Sequence, residues 1–215
     1  WSGTGTAMTP NGQSVFNGDA LSIVNWNGNI TISDIMITNA TGAGIAALQV
    51  TTTKNIALTN VDVVNNSTEF GGAYLDNTAS YTGTVVINDS TFNGNDGVNA
   101  TGLNVRSHGT ITGKNITAYD NTLVGASLDN CDLQKPVLGD DTTWYCNTVG
   151  AKAVTLTGSN NFSFNSGNGL NVFSSGAITL SNVNAMHNDG QGAYLDNCTI
   201  GADEFCVQGY LPSTI

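Results

Sequence analysis

Apolar residues in this chain fall in short alternating triplets, and the triplets come in sets of three. From Gly102 the set is Leu103-Asn-Val105, Ile111-Thr-Gly113 and Ile116-Thr-Ala118; from Gly169 it is Leu170-Asn-Val172, Ile178-Thr-Leu180 and Val183-Asn-Ala185. Alternation with period 2 and β-branched residues predicts strands, and no stretch sustains the 3.6-residue period of a helix. Gly, Asn and Ser separate the strands, which are too short to cover their own apolar faces as hairpins.

The sets repeat. Gly72-Ala-Tyr-Leu-Asp-Asn77 returns as Gly125-Ala-Ser-Leu-Asp-Asn130 and as Gly192-Ala-Tyr-Leu-Asp-Asn197, with Ala47-Leu-Gln-Val50 and the sets from Gly102 and Gly169 in the same slot. Starts at 47, 72, 102, 125, 169 and 192 give steps of 25, 30, 23, 44 and 23, so the minimal unit has 23 residues and longer steps carry insertions. A weaker copy starts at Ala20. Such a period marks a solenoid, in which each turn covers the next. The prediction is one all-β domain over 1–215, a right-handed parallel β-helix with three sheets. Residues 1–19 form an N-terminal edge or docking segment, 20–200 the turns, and 201–215 an incomplete last turn.

Side-chain volume supports the stacking. The second residue of the first strand alternates Leu48, Ala73, Leu103, Ala126, Leu170, Ala193, and the third strand answers with Val63, Phe92, Ala118, Phe162, Ala185. A turn that is small on one wall is large on another, which keeps the core filled along the axis. Asn66, Asn95, Asn121, Asn165 and Asn188 are predicted to stack at one corner, and Asp34, Asn60, Asp89, Asn115 and Asn182 near another. These residues tolerate left-handed backbone and bond local amides.

The Gly-Leu-x-Val, Ile-Thr-x-x-Asn-x-x-Ala and Gly-Ala-Tyr-Leu-Asp-Asn units resemble the parallel β-helix repeats of large bacterial surface and secreted proteins, which share the pectin-lyase-like solenoid. The resemblance covers roughly residues 20–200. It implies the fold; adhesins, filaments and polysaccharide-cleaving enzymes all use it. By resemblance, lyases on this fold use a Ca²⁺-binding carboxylate cluster with an Arg or Lys base, and hydrolases use clustered carboxylates.

Only 10% of the residues are charged, and 5 Lys and Arg against 16 Asp and Glu leave a net charge of −11. Basic clusters for a polyanion are absent, so no nucleic-acid partner is expected. No apolar run approaches the roughly 18 residues of a spanning helix, so no membrane insertion is expected. The 4 cysteines form local pairs, Cys131 with Cys146 and Cys198 with Cys206. Each pair is expected to staple its own loop by a disulfide, which places the chain outside the cell. Nine Asn-x-Ser/Thr sequons, from Asn29 to Asn197, would carry glycans if the source modifies them.

The single arginine, Arg106, should stand between Asp76 and Asp129 of neighbouring turns as an ion ladder. A guanidinium so flanked is held cationic and cannot act as a base. Asp129 and Asp196 lie two turns apart, about 9.6 Å by strand spacing, which is compatible with an inverting pair. His108 and His187 fall in different copies, so no metal site is expected, and Asp140-Asp141 is a weak Ca²⁺ candidate. Insertions follow the Leu-Asp-Asn triplet at one corner and carry Tyr81, Trp144, Tyr145 and Phe205 as a candidate contact surface. The expectation is therefore a non-enzymatic extracellular module of a cell-surface adhesin or of a filament assembling end to end, with no cofactor. The alternative is a polysaccharide-active enzyme or carbohydrate-binding module, drawing on Asp129, Asp196, Trp144 and Tyr145.

Overall fold

Strand alternation, a short repeat and Asn-rich corners produce a parallel β-solenoid of about six turns. The computed structural model describes residues 16–17, 20–42, 44–131, 133–134, 145–146 and 150–197. Cys198, Cys206 and Phe205 lie outside the described residues, as do Trp144 and Asp140-Asp141.

The first wall has seven parallel strands: Leu21–Trp26, Leu48–Thr52, Gly71–Asp76, Thr101–Arg106, Ala126–Asp129, Leu170–Ser174 and Ala193–Asn197. Their register is the one the repeat predicts: Leu48 beside Ala73, Ala73 beside Leu103, Leu103 beside Ala126, Ala126 beside Leu170, Leu170 beside Ala193. Leu75, Val105 and Leu128 form one fully buried column on this wall. The weak copy is real, since Leu21 pairs with Leu48.

In four units the second and third strands are more continuous than their separation in sequence suggests, whereas Val154–Thr157 and Asn160–Asn161, and Ile178–Leu180 and Val183–Asn184, stay separate. Ile30–Thr38, Ile56–Val64, Val85–Thr91 and Ile111–Thr117 are single strands, bent where Asp34, Asn60, Asp89 and Asn115 take φ between 50° and 56°. A left-handed residue turns the chain through the corner without breaking the ladder, and Asn and Asp adopt that conformation most readily among non-glycine residues. A short third sheet pairs Phe16–Asn17, Ala40–Gly42 and Ser67–Thr68.

One core runs the length of the stack. Phe92 and Phe162 are fully buried, as are Ala73, Ala118 and Ala126 to within 2% exposure, so small and large residues offset each other turn by turn. Gly113 shows how tight the fit is. A Cβ there would lie 2.5 Å from both Ile116 Cδ1 and Leu156 Cδ2, so Ile116 already fills the space a side chain would need.

The third corner carries the strongest polar feature. Asn66 donates from N and Nδ2 to Asn95 Oδ1 at 3.2 and 3.0 Å, Asn95 to Asn121 Oδ1 at 3.1 and 3.1 Å, and Asn121 to Asn165 Oδ1 at 3.0 and 3.0 Å. Asn165 continues to Asn188 Oδ1 at 2.9 and 3.1 Å. Each Nδ2 also donates backwards to a third-strand carbonyl, for example Asn121 to Phe92 O at 3.1 Å and Asn165 to Ala118 O at 3.2 Å. Every rung thus ties three turns. Burial also removes Asn66 from the sequons that a glycan could occupy, because it is 1% exposed and fully bonded.

Removing a rung should be severe. Asn121→Ala leaves Asn95 N, Asn95 Nδ2 and Phe92 O without this partner inside the protein, and each buried orphan costs about 1–3 kcal/mol. The expected loss is about 3 kcal/mol or more by urea unfolding, while Asn60→Gly at the exposed left-handed corner should stay within about 0.5 kcal/mol. Asn121→Asp should be destabilised at neutral pH and regain stability as pH falls, because its buried carboxylate must be neutralised in the folded state.

Candidate functional site

Inward residues are committed to the core, so chemistry that reaches solvent belongs to the outer faces and the corner insertions, and Asp76, Arg106 and Asp129 fall on the outer face of the first wall. On that face one column reads Thr51, Asp76, Arg106, Asp129, Phe173, Asp196 in register. Strand pairing therefore brings together residues that are 23 to 44 positions apart.

Asp76 is the best-held carboxylate. Its Oδ1 accepts from Thr78 N at 2.8 Å and Thr78 Oγ1 at 2.7 Å, and its Oδ2 accepts from Tyr74 Oη at 2.9 Å. Arg106 Nη1 lies 3.6 Å from the same Oδ2. Burial pushes the Tyr74 phenol above its ordinary value, against the opposing pull of Arg106. Arg106 and Asp129 are side by side in register. Asp129 Oδ1 also accepts from Cys131 N at 2.9 Å, which starts the next insertion.

That insertion is stapled. Cys131 and Cys146 are joined, and Leu133 and Gln134 pair antiparallel with Cys146 and Tyr145 as a hairpin. Phe173 packs on the disulfide and meets Tyr194 with ring centroids 5.7 Å apart. Phe173 therefore occupies the register position between Asp129 and Asp196. Burial raises the Asp196 carboxyl above the usual range.

The first insertion builds a groove. Tyr81 stacks on His108 with centroids 4.6 Å apart and planes within 9°, so the loop from Thr78 to Gly83 leans over the following turn. Beneath it an open groove of about 620 Å³ is lined by Trp26, Thr51, Thr53, Asp76, Thr78 and Tyr81, among others. Trp26 is 54% and Tyr81 48% exposed, whereas His108 is only 3% exposed. His108 thus acts as the floor on which Tyr81 rests. Gly28 makes room for the indole, since a Cβ there would lie 2.8 Å from Trp26 Nε1.

His187 lies at a different corner, stacked on Phe164 at 4.9 Å. Both take left-handed φ, 56° and 61°. Among the described residues, no three His, Cys, Asp or Glu side chains cluster as metal ligands. Alternating apolar triplets singled out none of Trp26, Thr51 or Thr53, because Trp26 ends the strand of the weak copy and the two threonines stand at and just past the end of the next. Tyr81 was visible as an insertion aromatic; its histidine partner was not.

The held carboxylate and the exposed guanidinium should separate in stability measurements. Asp76→Ala removes the acceptor for three hydrogen bonds and should cost about 2 kcal/mol. Arg106→Gln, whose side chain is 37% exposed, should cost less than about 1 kcal/mol after solvent screening. Chemical denaturation of both variants checks the order.

No family model matches this chain, and neither the curated proteins nor the solved structures include a significant match.

Proposed function

We propose that this chain is an extracellular structural and adhesive module, a β-solenoid rod of the kind that carries surface adhesins and fibres. What supports the reading is the continuity of the inter-turn columns. Asn66, Asn95, Asn121, Asn165 and Asn188 link turn to turn without interruption, and the core compensates volume along the same length. Such a stack resists bending and shear, and it projects loops from a corner at fixed spacing. A stapled hairpin suits an oxidising exterior. End-to-end assembly belongs to the same reading, since a heterologous stacking contact has no geometric stop.

A polysaccharide hydrolase is the second reading, and one observation favours it. Asp196, with its raised carboxyl, has the character of a general acid, and Asp129 lies two strands away. Against it, Phe173 fills the intervening position and packs on the disulfide.

Electron microscopy and sedimentation of the isolated chain should show rods that lengthen with concentration. Single-length particles at every concentration would remove end-to-end assembly. Neutral and acidic polysaccharides should yield no new reducing ends; release that is abolished by Asp196→Asn would replace this reading with the hydrolase.

A further inference from the structure

The groove beneath Tyr81 is built from four successive turns: Trp26 in the first, Thr51 and Thr53 in the second, Asp76, Thr78 and Tyr81 in the third, and His108 in the fourth. Three strand spacings give it a length of roughly 14 Å along the axis. Two aromatic rings stand in its lining, each about half exposed. Hydroxyls and one carboxylate line the space between them, and among the lining residues there is no Lys or Arg.

We infer that this groove binds a short neutral oligosaccharide. Pyranose rings offer apolar C–H faces and hydroxyl edges, so they need aromatic platforms together with fixed polar partners. Trp26 and Tyr81 supply the platforms, and the volume of about 620 Å³ falls within the range of ligand sites. Tyr81 is held in place by His108, which limits the side-chain ordering that binding must supply. Asp76 is pinned by Thr78, Tyr74 and Arg106 and so fixes the groove wall, while Thr51 Oγ1, which accepts from Asn25 N, and Thr53 Oγ1, which donates to Asn27 Oδ1, keep a donor and an acceptor for sugar hydroxyls.

Charge selects the class of sugar. The lining's one charged side chain is the Asp76 carboxylate, already paired with Arg106 Nη1 at 3.6 Å, and the chain carries a net charge of −11. A uronate or another anionic glycan finds no cation in the lining to answer its charge; a neutral one needs none. An apolar peptide is a poorer fit, because hydroxyl-bearing threonines would lose water without gaining partners. The inference rests on the adhesive reading and names its ligand class.

The test uses the full chain. Short neutral gluco- and galacto-oligosaccharides and an oligogalacturonate are titrated in parallel by calorimetry and tryptophan fluorescence. Neutral probes should bind and perturb fluorescence, with affinity falling at least about tenfold in Trp26→Ala and in Tyr81→Ala. Phe164→Ser, outside the groove, should bind like the parent chain, and circular dichroism should confirm that each variant is folded. Absence of binding by every neutral probe, tighter binding of the oligogalacturonate, or indifference to both aromatic substitutions would overturn the inference. Retention of the immobilised chain on glycan-bearing surfaces is measured separately. If retention survives the Trp26→Ala/Tyr81→Ala double substitution, the groove fails and the adhesive reading stands; if the parent chain is not retained, the adhesive reading fails.

Discussion

Everything in this molecule depends on successive turns keeping the same register, and the buried asparagine ladder is the interaction that enforces it. A primary amide is the only neutral side-chain group that both accepts through oxygen and donates through nitrogen in one plane. Oδ1 of each rung takes two donors from the turn before, while Nδ2 donates to a carbonyl of that turn and to the next Oδ1. Aspartate would put a charge where there is almost no water, and serine would be too short to reach both neighbours. Slippage by one residue would leave every rung buried and unpaired, so the penalty grows with the number of turns. At its N-terminal end the ladder is closed by a backbone group, with Ala40 N donating to Asn66 Oδ1 at 3.0 Å.

Register in turn makes the core solvable with small and large residues. Once Ala73 and Ala126 are fixed on one wall, Phe92 and Phe162 have a defined space to fill from another. Polar residues at inward positions obey the same constraint. Ser90 Oγ accepts from Val61 N of the preceding turn, and Asn160 Oδ1 accepts from Ile116 N. Both stand just after the corner, where the bend would otherwise leave an amide unpaired. Burial there satisfies the backbone and does not interrupt the core.

Legibility in the sequence followed periodicity. The Leu/Ala columns, the asparagine ladder and the insertion corner recur with one residue type or one size class per slot, so a single chain reveals them. A second interior column was hidden because its members differ: Asn77, Ser107, Asn130 and Ser174 share a register but alternate amide with hydroxyl. Asn130 Nδ2 bonds Lys152 O at 2.9 Å, and Ser174 Oγ bonds the same carbonyl at 3.0 Å, so the two types do equivalent work. The split into two strands holds in the unit from Gly169 but not in the unit from Gly102, where Asn115 bends one continuous strand, because a left-handed Asn looks like a break when only side-chain pattern is considered. The groove was only partly legible: Asp76 lies in a repeated triplet and Tyr81 in an insertion, but Trp26 occurs once, at the end of a strand in another turn.

That last difference reflects how solenoids carry function. Positions repeated in every turn are constrained by their copies above and below, so they stabilise the rod and are poor places for a specific site. A residue that departs from its column is released from that constraint. Trp26 ends the first strand of the weak copy, where the register to the next strand is irregular, and so its ring stands outside the ladder. Tyr81 sits in an insertion that the following turn lacks, and it covers His108 where other turns place Cys131 or Ser175. The groove therefore sets two exceptions to the repeat, Trp26 and Tyr81, beside Thr51 and Asp76, which the repeat supplies, and the stacking holds all four a fixed number of strand spacings apart.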